Sequence, residues 1–265
     1  MTWQEISISG NWVLLPRQPY GIIHFLGGAF VGTAPQVSYR SLLEWLAQKG
    51  YVAIATPFIN TFDHGAIARE VLNQFESVVD RLQAQNRLGG SYLPIYGMGH
   101  SMGCKLHLLI GSAFQVQRAG NIFMAYNNYP AMRAVPFLDQ IQGNPAFQGN
   151  PAFNVEFVPS PDETQAIIAK EYEIRRNLLI QFSNDDIDQT PSLKAILQQR
   201  FPSLTAVRTL PGNHLTPLSQ EVKWQTGEVF SPIDAIAQWF KQESTRDLNK
   251  LKQEVLRWLN PTLGF

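Results

Sequence analysis

Short apolar runs alternate along the chain with longer segments in which apolar positions recur every three or four residues. "GIIHFL" (21–26), "YVAIAT" (51–56), "YLPIYG" (92–97), "GNIFMAY" (120–126), "NLLIQFS" (177–183) and "LTAVRTL" (204–210) have the length and bulk of strands. Several are apolar at nearly every position, as strands covered on both faces are. Between and after them, "SYRSLLEWLAQKG" (38–50), "AIAREVLNQFESVVDRLQAQ" (66–85), "MGCKLHLLIGSAF" (102–114) and "PSLKAILQQR" (191–200) read as helices. Gly50 closes the first of these, and Val71, Phe75, Val78, Val79 and Leu82 line one face of the second. Two further helices, 232–244 and 247–260, end the pattern. In the last, Leu248, Leu251, Val255 and Leu259 share a face, expected to pack on the body of the domain. Strand–helix alternation predicts an α/β fold: a mostly parallel central sheet with helices on both faces. "WQEISISGNWVLLP" alternates more strictly and fits a hairpin at the sheet edge, turning at "SGN".

The rhythm breaks between Tyr126 and Asn177. This stretch is rich in proline, asparagine and phenylalanine, and "GNPAF" occurs twice, at 143–147 and 149–153. A structureless loop of that length is unusual in a compact domain. It is read as a cap or lid insertion at about 127–176 within a single domain spanning 1–265, with a helix near Asp162–Arg175 after Pro161. Phe137, Phe147, Phe153 and Phe157 would let it roof an apolar pocket.

Composition narrows the function classes. The 21 basic and 21 acidic side chains cancel, so no charge excess points to nucleic acid. The single cysteine, Cys104, cannot build a disulfide framework within the chain. The N-terminus lacks a basic start followed by an apolar core, and "YGIIHFLGGAFVG" is too short and too broken to span a bilayer. A cytoplasmic protein with no integral membrane segment is expected. No histidine–acid cluster has metal-ligand spacing, and "GGAFVG" opens no helix in the manner of a dinucleotide fingerprint; neither metal nor cofactor is expected.

The chemistry concentrates at "GHSMG" (99–103), which fits G-x-S-x-G between a strand and a helix. A turn that tight leaves no room for side chains at Gly99 and Gly103. It projects Ser101 at the carboxyl edge of the sheet and sets the Met102 amide at a helix N-terminus, where it would stabilise an oxyanion. A serine hydroxyl needs a base, and His214 in "LPGNHLTP" follows a late strand. The imidazole needs an acid to hold its tautomer, and "SNDDID" offers Asp185, Asp186 and Asp188. The order serine, acid, histidine suits a strand–turn–helix nucleophile. Gly27 and Gly28 in "HFLGGAFVG" let the backbone approach a ligand, so the amide of Ala29 or Gly28 would be the second oxyanion donor. Phe30, His100 and Phe137 are candidate substrate contacts, and His64 a candidate for the pocket rim. Cys104, His24 and His107 read as core residues.

With these motifs the sequence resembles an α/β-hydrolase over nearly its whole length. "HFLGGAFVGTAPQVSYR", "GHSMGCKLH", "EFVPSPDET" and "NLLIQFSNDDIDQT" narrow the likeness to an uncharacterised domain-of-unknown-function branch of that superfamily, met in photosynthetic bacteria and plastids. The resemblance ranks Asp186 first as the acid, by its distance from the preceding strand, then Asp188, then Asp185. Leu26 stands where many relatives carry a histidine before the glycines. The resemblance implies a serine hydrolase, with Ser101, Asp186 and His214 as triad; the expected substrate is a small-molecule carboxylic ester or thioester, with an apolar acyl group on the composition of the phenylalanine-rich insertion. A non-catalytic binding or scaffold protein would show a damaged triad, whereas an acyltransferase would use the same residues and exclude water.

Overall fold

The computed structural model describes residues 2–6, 10–29, 31–89, 92–131, 156–218 and 245–260. Among these residues eight strands form one sheet: β1 (Gln4–Ile6), β2 (Asn11–Leu14), β3 (Gly21–Leu26), β4 (Tyr51–Ala55), β5 (Ile95–His100), β6 (Gly120–Met124), β7 (Asn177–Phe182) and β8 (Thr205–Leu210). Their spatial order is β1-β2-β4-β3-β5-β6-β7-β8. β1 pairs antiparallel with β2, and β2 with β4; every later pairing is parallel. The edge hairpin and the parallel body both match the hydrophobic pattern.

Seven helices are described: α1 (Pro35–Ser38), α2 (Arg40–Gln48), α3 (His64–Ala84), α4 (Met102–Ala113), α5 (Pro161–Glu171), α6 (Thr190–Arg200) and α7 (Thr245–Leu259). Alternation along β3 shows how they cover the sheet. Ile23 and Phe25 share a buried cluster with Leu42, Leu43 and Leu46 of α2 and with Leu248, Leu251, Val255 and Leu259 of α7. Ile22 and Leu26 point the other way, Ile22 among Phe75, Val78 and Leu82 of α3, and Leu26 among residues of α3 and α4. Farther along that face, α4, α5 and α6 close over Phe123 and Leu179. The last helix therefore packs on the body, as its apolar face predicts.

Two boundaries differ from the pattern. β5 starts three residues later than "YLPIYG" suggests and runs through "GMGH" to His100. Its glycines are packing positions: a Cβ at Gly97 would lie 2.3 Å from Asn121 Oδ1. α5 ends at Glu171, four residues short of Arg175, because Tyr172 adopts an extended backbone. The Tyr172 hydroxyl accepts from Asn121 Nδ2 and donates to Asn177 Oδ1, both at 2.7 Å. That fixes the chain before β7. The start of α5 is a capping box between Ser160 and Glu163, with Pro161 in the first turn.

The segment leading into α5 is fastened to the loop after β4. Val158 N donates to Phe62 O at 2.8 Å, and Gly65 N donates to Val158 O at 3.1 Å. Phe157 stacks on His64 at 4.1 Å, and the buried Lys105 donates to Pro159 O at 3.0 Å. The middle of the proposed insertion, 132–155, with Phe137, Phe147, Phe153 and both "GNPAF" copies, lies outside the described residues, as do Phe30 and the predicted helix at 232–244.

Candidate active site

The carboxyl edge of the sheet gathers the chemistry-bearing residues. β5 passes into α4 through Ser101, whose backbone is held at φ 54° and ψ −120°. Such a conformation costs a non-glycine residue about 1–3 kcal/mol and persists only where its surroundings impose it. They do so here. Ser101 N donates to Met124 O, and Cys104 N to Ser101 O, both at 3.0 Å. A Cβ at Gly99 would meet Gly103 backbone at 2.6 Å, and one at Gly103 would lie 2.1 Å from Leu26 O. The flanking glycines are thus steric requirements of the turn, as its sequence suggests.

Ser101 Oγ lies 3.0 Å from His214 Nε2. His214 sits after β8 on a loop shaped by Gly212, at φ 121°, and by Asn213, which donates to Thr216 Oγ1 and accepts from Leu215 N. On the other side of the ring, His214 Nδ1 is 2.8 Å from Asp185 Oδ2. The Asp185 side chain is fully buried, and its second oxygen accepts from Ile187 N at 3.1 Å. With a carboxylate at Nδ1, that nitrogen carries the imidazole's proton and Nε2 is free to take one from Ser101.

The carboxylate at His214 is therefore that of Asp185, not of Asp186. Beyond the end of β7 the chain stays paired for two more residues: Ser183 N donates to Leu210 O and Asn184 N to Gly212 O. A turn closed by Asp185 N to Phe182 O then swings residue 185 over the sheet edge and leaves Asp186 exposed. Asp188 accepts from Thr190 N at 2.8 Å at the start of α6; burial raises its carboxyl above the ordinary value.

Two other expectations also change. Gly28 N donates to Tyr39 Oη at 2.8 Å, so of the two glycine-loop amides expected as oxyanion donors this one faces into the protein. Met102 is the first residue of α4, and its amide has no carbonyl one turn back to bond. His100, a candidate substrate contact, is buried. It is 2% exposed, with Nδ1 2.8 Å from Tyr39 Oη and Nε2 2.8 Å from His214 O. Burial, then the neighbouring His214, holds its pKa well below the ordinary histidine value. No pattern in the sequence ties residue 39 to residues 28 and 100.

The remaining histidines lie in the interior. His64 is buried beneath Phe157 rather than at a rim, and burial then the charge of Lys105 lower its pKa to about 3. His24 stacks on Phe75 at 4.1 Å and meets His107 edge-on at 4.9 Å. Cys104 is wholly buried, with burial raising its thiol pKa. A groove of about 710 Å³ between α3, α4 and α5 is lined by Arg69, Leu109, Phe114 and Ile167 and includes none of Ser101, Asp185 and His214. Among the described residues no group of His, Cys, Asp or Glu is placed to hold a metal ion, and no helix is long and apolar enough to cross a membrane.

The sheet order, the turn at Ser101 and the placement of helices define an α/β-hydrolase fold. Solved structures share it: a soluble variant of monoglyceride lipase from Saccharomyces cerevisiae (14% identity, TM-score 0.60, covering 95% of this chain and 91% of that one). Esterase 2 of Thermogutta terrifontis matches at 10% identity and TM-score 0.60, over 96% of this chain and 89% of that one. The fluorophosphonate-binding serine hydrolase F of Staphylococcus aureus matches at 14% and 0.52, over 80% and 90%. No curated protein matches in sequence. The chain belongs to the family described as protein of unknown function (DUF1350), whose model matches residues 2–261.

Proposed function

We propose that the protein is a serine hydrolase that cleaves a carboxylic ester or thioester through an acyl-enzyme. The observation that carries this reading is the continuous relay from Ser101 Oγ to His214 Nε2 at 3.0 Å and from His214 Nδ1 to Asp185 at 2.8 Å. It sits at a strained turn of the kind that exposes a nucleophile. Ser101 Oγ attacks the carbonyl carbon as His214 Nε2 takes its proton. The Met102 and Ala29 amides hold the oxyanion. His214 returns the proton to the leaving oxygen or sulfur, and water, deprotonated by the same imidazole, releases the acid. Asp185 holds the tautomer and offsets the charge that His214 acquires.

An apolar acyl group is supported by the phenylalanine-rich stretch between β6 and α5, and by the lipases and esterases among the proteins that share the fold. The test is a chain-length series of acyl esters and acyl thioesters, run beside Ser101→Ala. Turnover that rises with acyl length and vanishes in the variant is expected. Turnover that survives Ser101→Ala would contradict the reading.

A further inference from the structure

The relay uses both nitrogens of His214, so its side chain has no group left to fix the height of its loop above the sheet. The support comes from beneath, through the backbone. His214 O is held at 2.8 Å by His100 Nε2, His100 Nδ1 lies 2.8 Å from Tyr39 Oη, and Tyr39 Oη is 2.8 Å from Gly28 N.

The protons along this path have one consistent arrangement. A carbonyl oxygen only accepts, so His100 Nε2 carries a hydrogen and donates to His214 O. A neutral imidazole has one N–H, so Nδ1 is bare and accepts. Tyr39 O–H therefore donates to His100 Nδ1. The Gly28 amide only donates, and the Tyr39 oxygen receives it. All four groups are satisfied, and reversing any one bond would leave a donor facing a donor or a lone pair facing a lone pair.

We propose that Tyr39 and His100 are positioning residues, whose one-way hydrogen-bond chain from the Gly28 amide to the His214 carbonyl locks the glycine loop and the histidine loop in register with the Ser101 turn. The role rests on the serine-hydrolase reading. It connects three loops that follow three different strands, β3, β5 and β8, and each supplies one part of the reaction: oxyanion donor, nucleophile and base. Close packing agrees. A Cβ at Gly27 would lie 2.7 Å from the Tyr39 ring, and a Cβ at Gly28 would touch His100 Nδ1, Ser101 Cβ and Tyr39 Oη, each at 3.5 Å. The His100 and His214 rings are 5.0 Å apart. A charged His100 would oppose the imidazolium that His214 becomes during the reaction; burial keeps His100 neutral.

Three variants test this. Tyr39→Phe keeps the ring and removes the central O–H. His100→Met keeps an apolar body and removes both bonds. His100→Gln retains one donor and one acceptor about as far apart as the two ring nitrogens. Each is assayed for kcat and KM on p-nitrophenyl butyrate, for the rate and final extent of fluorophosphonate labelling at Ser101, and for melting temperature. Tyr39→Phe and His100→Met are expected to lower kcat and the labelling rate by about 10- to 100-fold, with KM within about threefold, since small misplacement of a reacting group has effects of that order. Labelling still runs to completion. His100→Gln is expected to recover most of the rate. If Tyr39→Phe does not fold, the Gln and Met variants at position 100 carry the comparison alone. A kcat within twofold of wild type in folded Tyr39→Phe or His100→Met overturns the proposal. So does a loss shared equally by Gln and Met that follows melting temperature. Wild-type protein that takes no label at Ser101 overturns the hydrolase reading itself, and is distinguished by needing no variant to be seen.

Discussion

Two groups of buried histidines lie against the same sheet and are bonded in different ways. At the carboxyl edge, His214 and His100 have every ring nitrogen bonded, to Ser101, Asp185, Tyr39 and a backbone carbonyl. On the α3 side of β3, His24 and His107 are boxed by Phe75 and by Arg118, whose guanidinium lies 4.7 Å from the Phe75 ring centroid. There His24 Nε2, His107 Nε2 and Arg118 Nε have no hydrogen-bond partner. Burial lowers the pKa of both, that of His107 to about 3. The first group is bonded in directions that fix proton positions, which is what acid–base chemistry needs. The second is stacked and uncharged, with His24 Nδ1 3.4 Å from an Arg118 nitrogen and Nε2 of each ring unbonded. Burial of a histidine alone therefore does not mark a site; direction of bonding does.

The largest effects should separate the two groups by activity. Ser101→Ala and His214→Ala are each expected to lower kcat by about four orders of magnitude or more, measured on any ester the wild type turns over. Asp185→Asn comes next, at about a hundredfold to ten-thousandfold, because an amide can favour the wrong imidazole tautomer. Asp186→Asn should stay within about twofold. Equal loss in both would undo the assignment of the acid. His24→Leu should leave kcat/KM within about twofold, and a larger loss would join the second group to the site.

The interior histidines are expected to appear in stability instead. An unfolded histidine titrates near its ordinary value of about 6.5, whereas burial holds His24, His64, His100 and His107 lower in the fold, His64 and His107 at about 3. Between those values the unfolded chain binds more protons. The contribution of His64 and His107 is thus complete above about pH 6.5 and is lost as pH falls toward about 3, at up to about 1.4 kcal/mol per pH unit for each, and that of His24 and His100 is lost in the same direction. Urea midpoints should fall between pH 7.5 and pH 5, and fall less steeply in His24→Leu. A midpoint that is flat over that range would contradict the burial of these rings as neutral groups.

The same contrast explains what could be read from the chain. Strands buried on both faces announce themselves by composition, and the α/β-hydrolase architecture followed from them and from "GHSMG" in its strand–helix setting. Ser101 and His214, which lie within hydrogen-bond reach, could be paired from the sequence because motif and chain order each isolate one residue. The carboxylate that meets His214 could not. Three aspartates share one loop, and the choice among them depends on two backbone bonds, to Leu210 and Gly212, that extend pairing past β7. The direction of the Gly28 amide and the burial of His100 were hidden for a related reason. Both depend on Tyr39, eleven residues from Gly28 and sixty-one from His100, and contacts of that reach leave no periodic trace.

The most direct measurement is fluorophosphonate labelling of the folded wild-type protein beside Ser101→Ala, with the adduct located by peptide mass spectrometry. One phosphonyl group is expected on the peptide containing Ser101, and none in the variant. Folded wild-type protein that takes no label, or takes it at another residue, would contradict the serine-hydrolase reading.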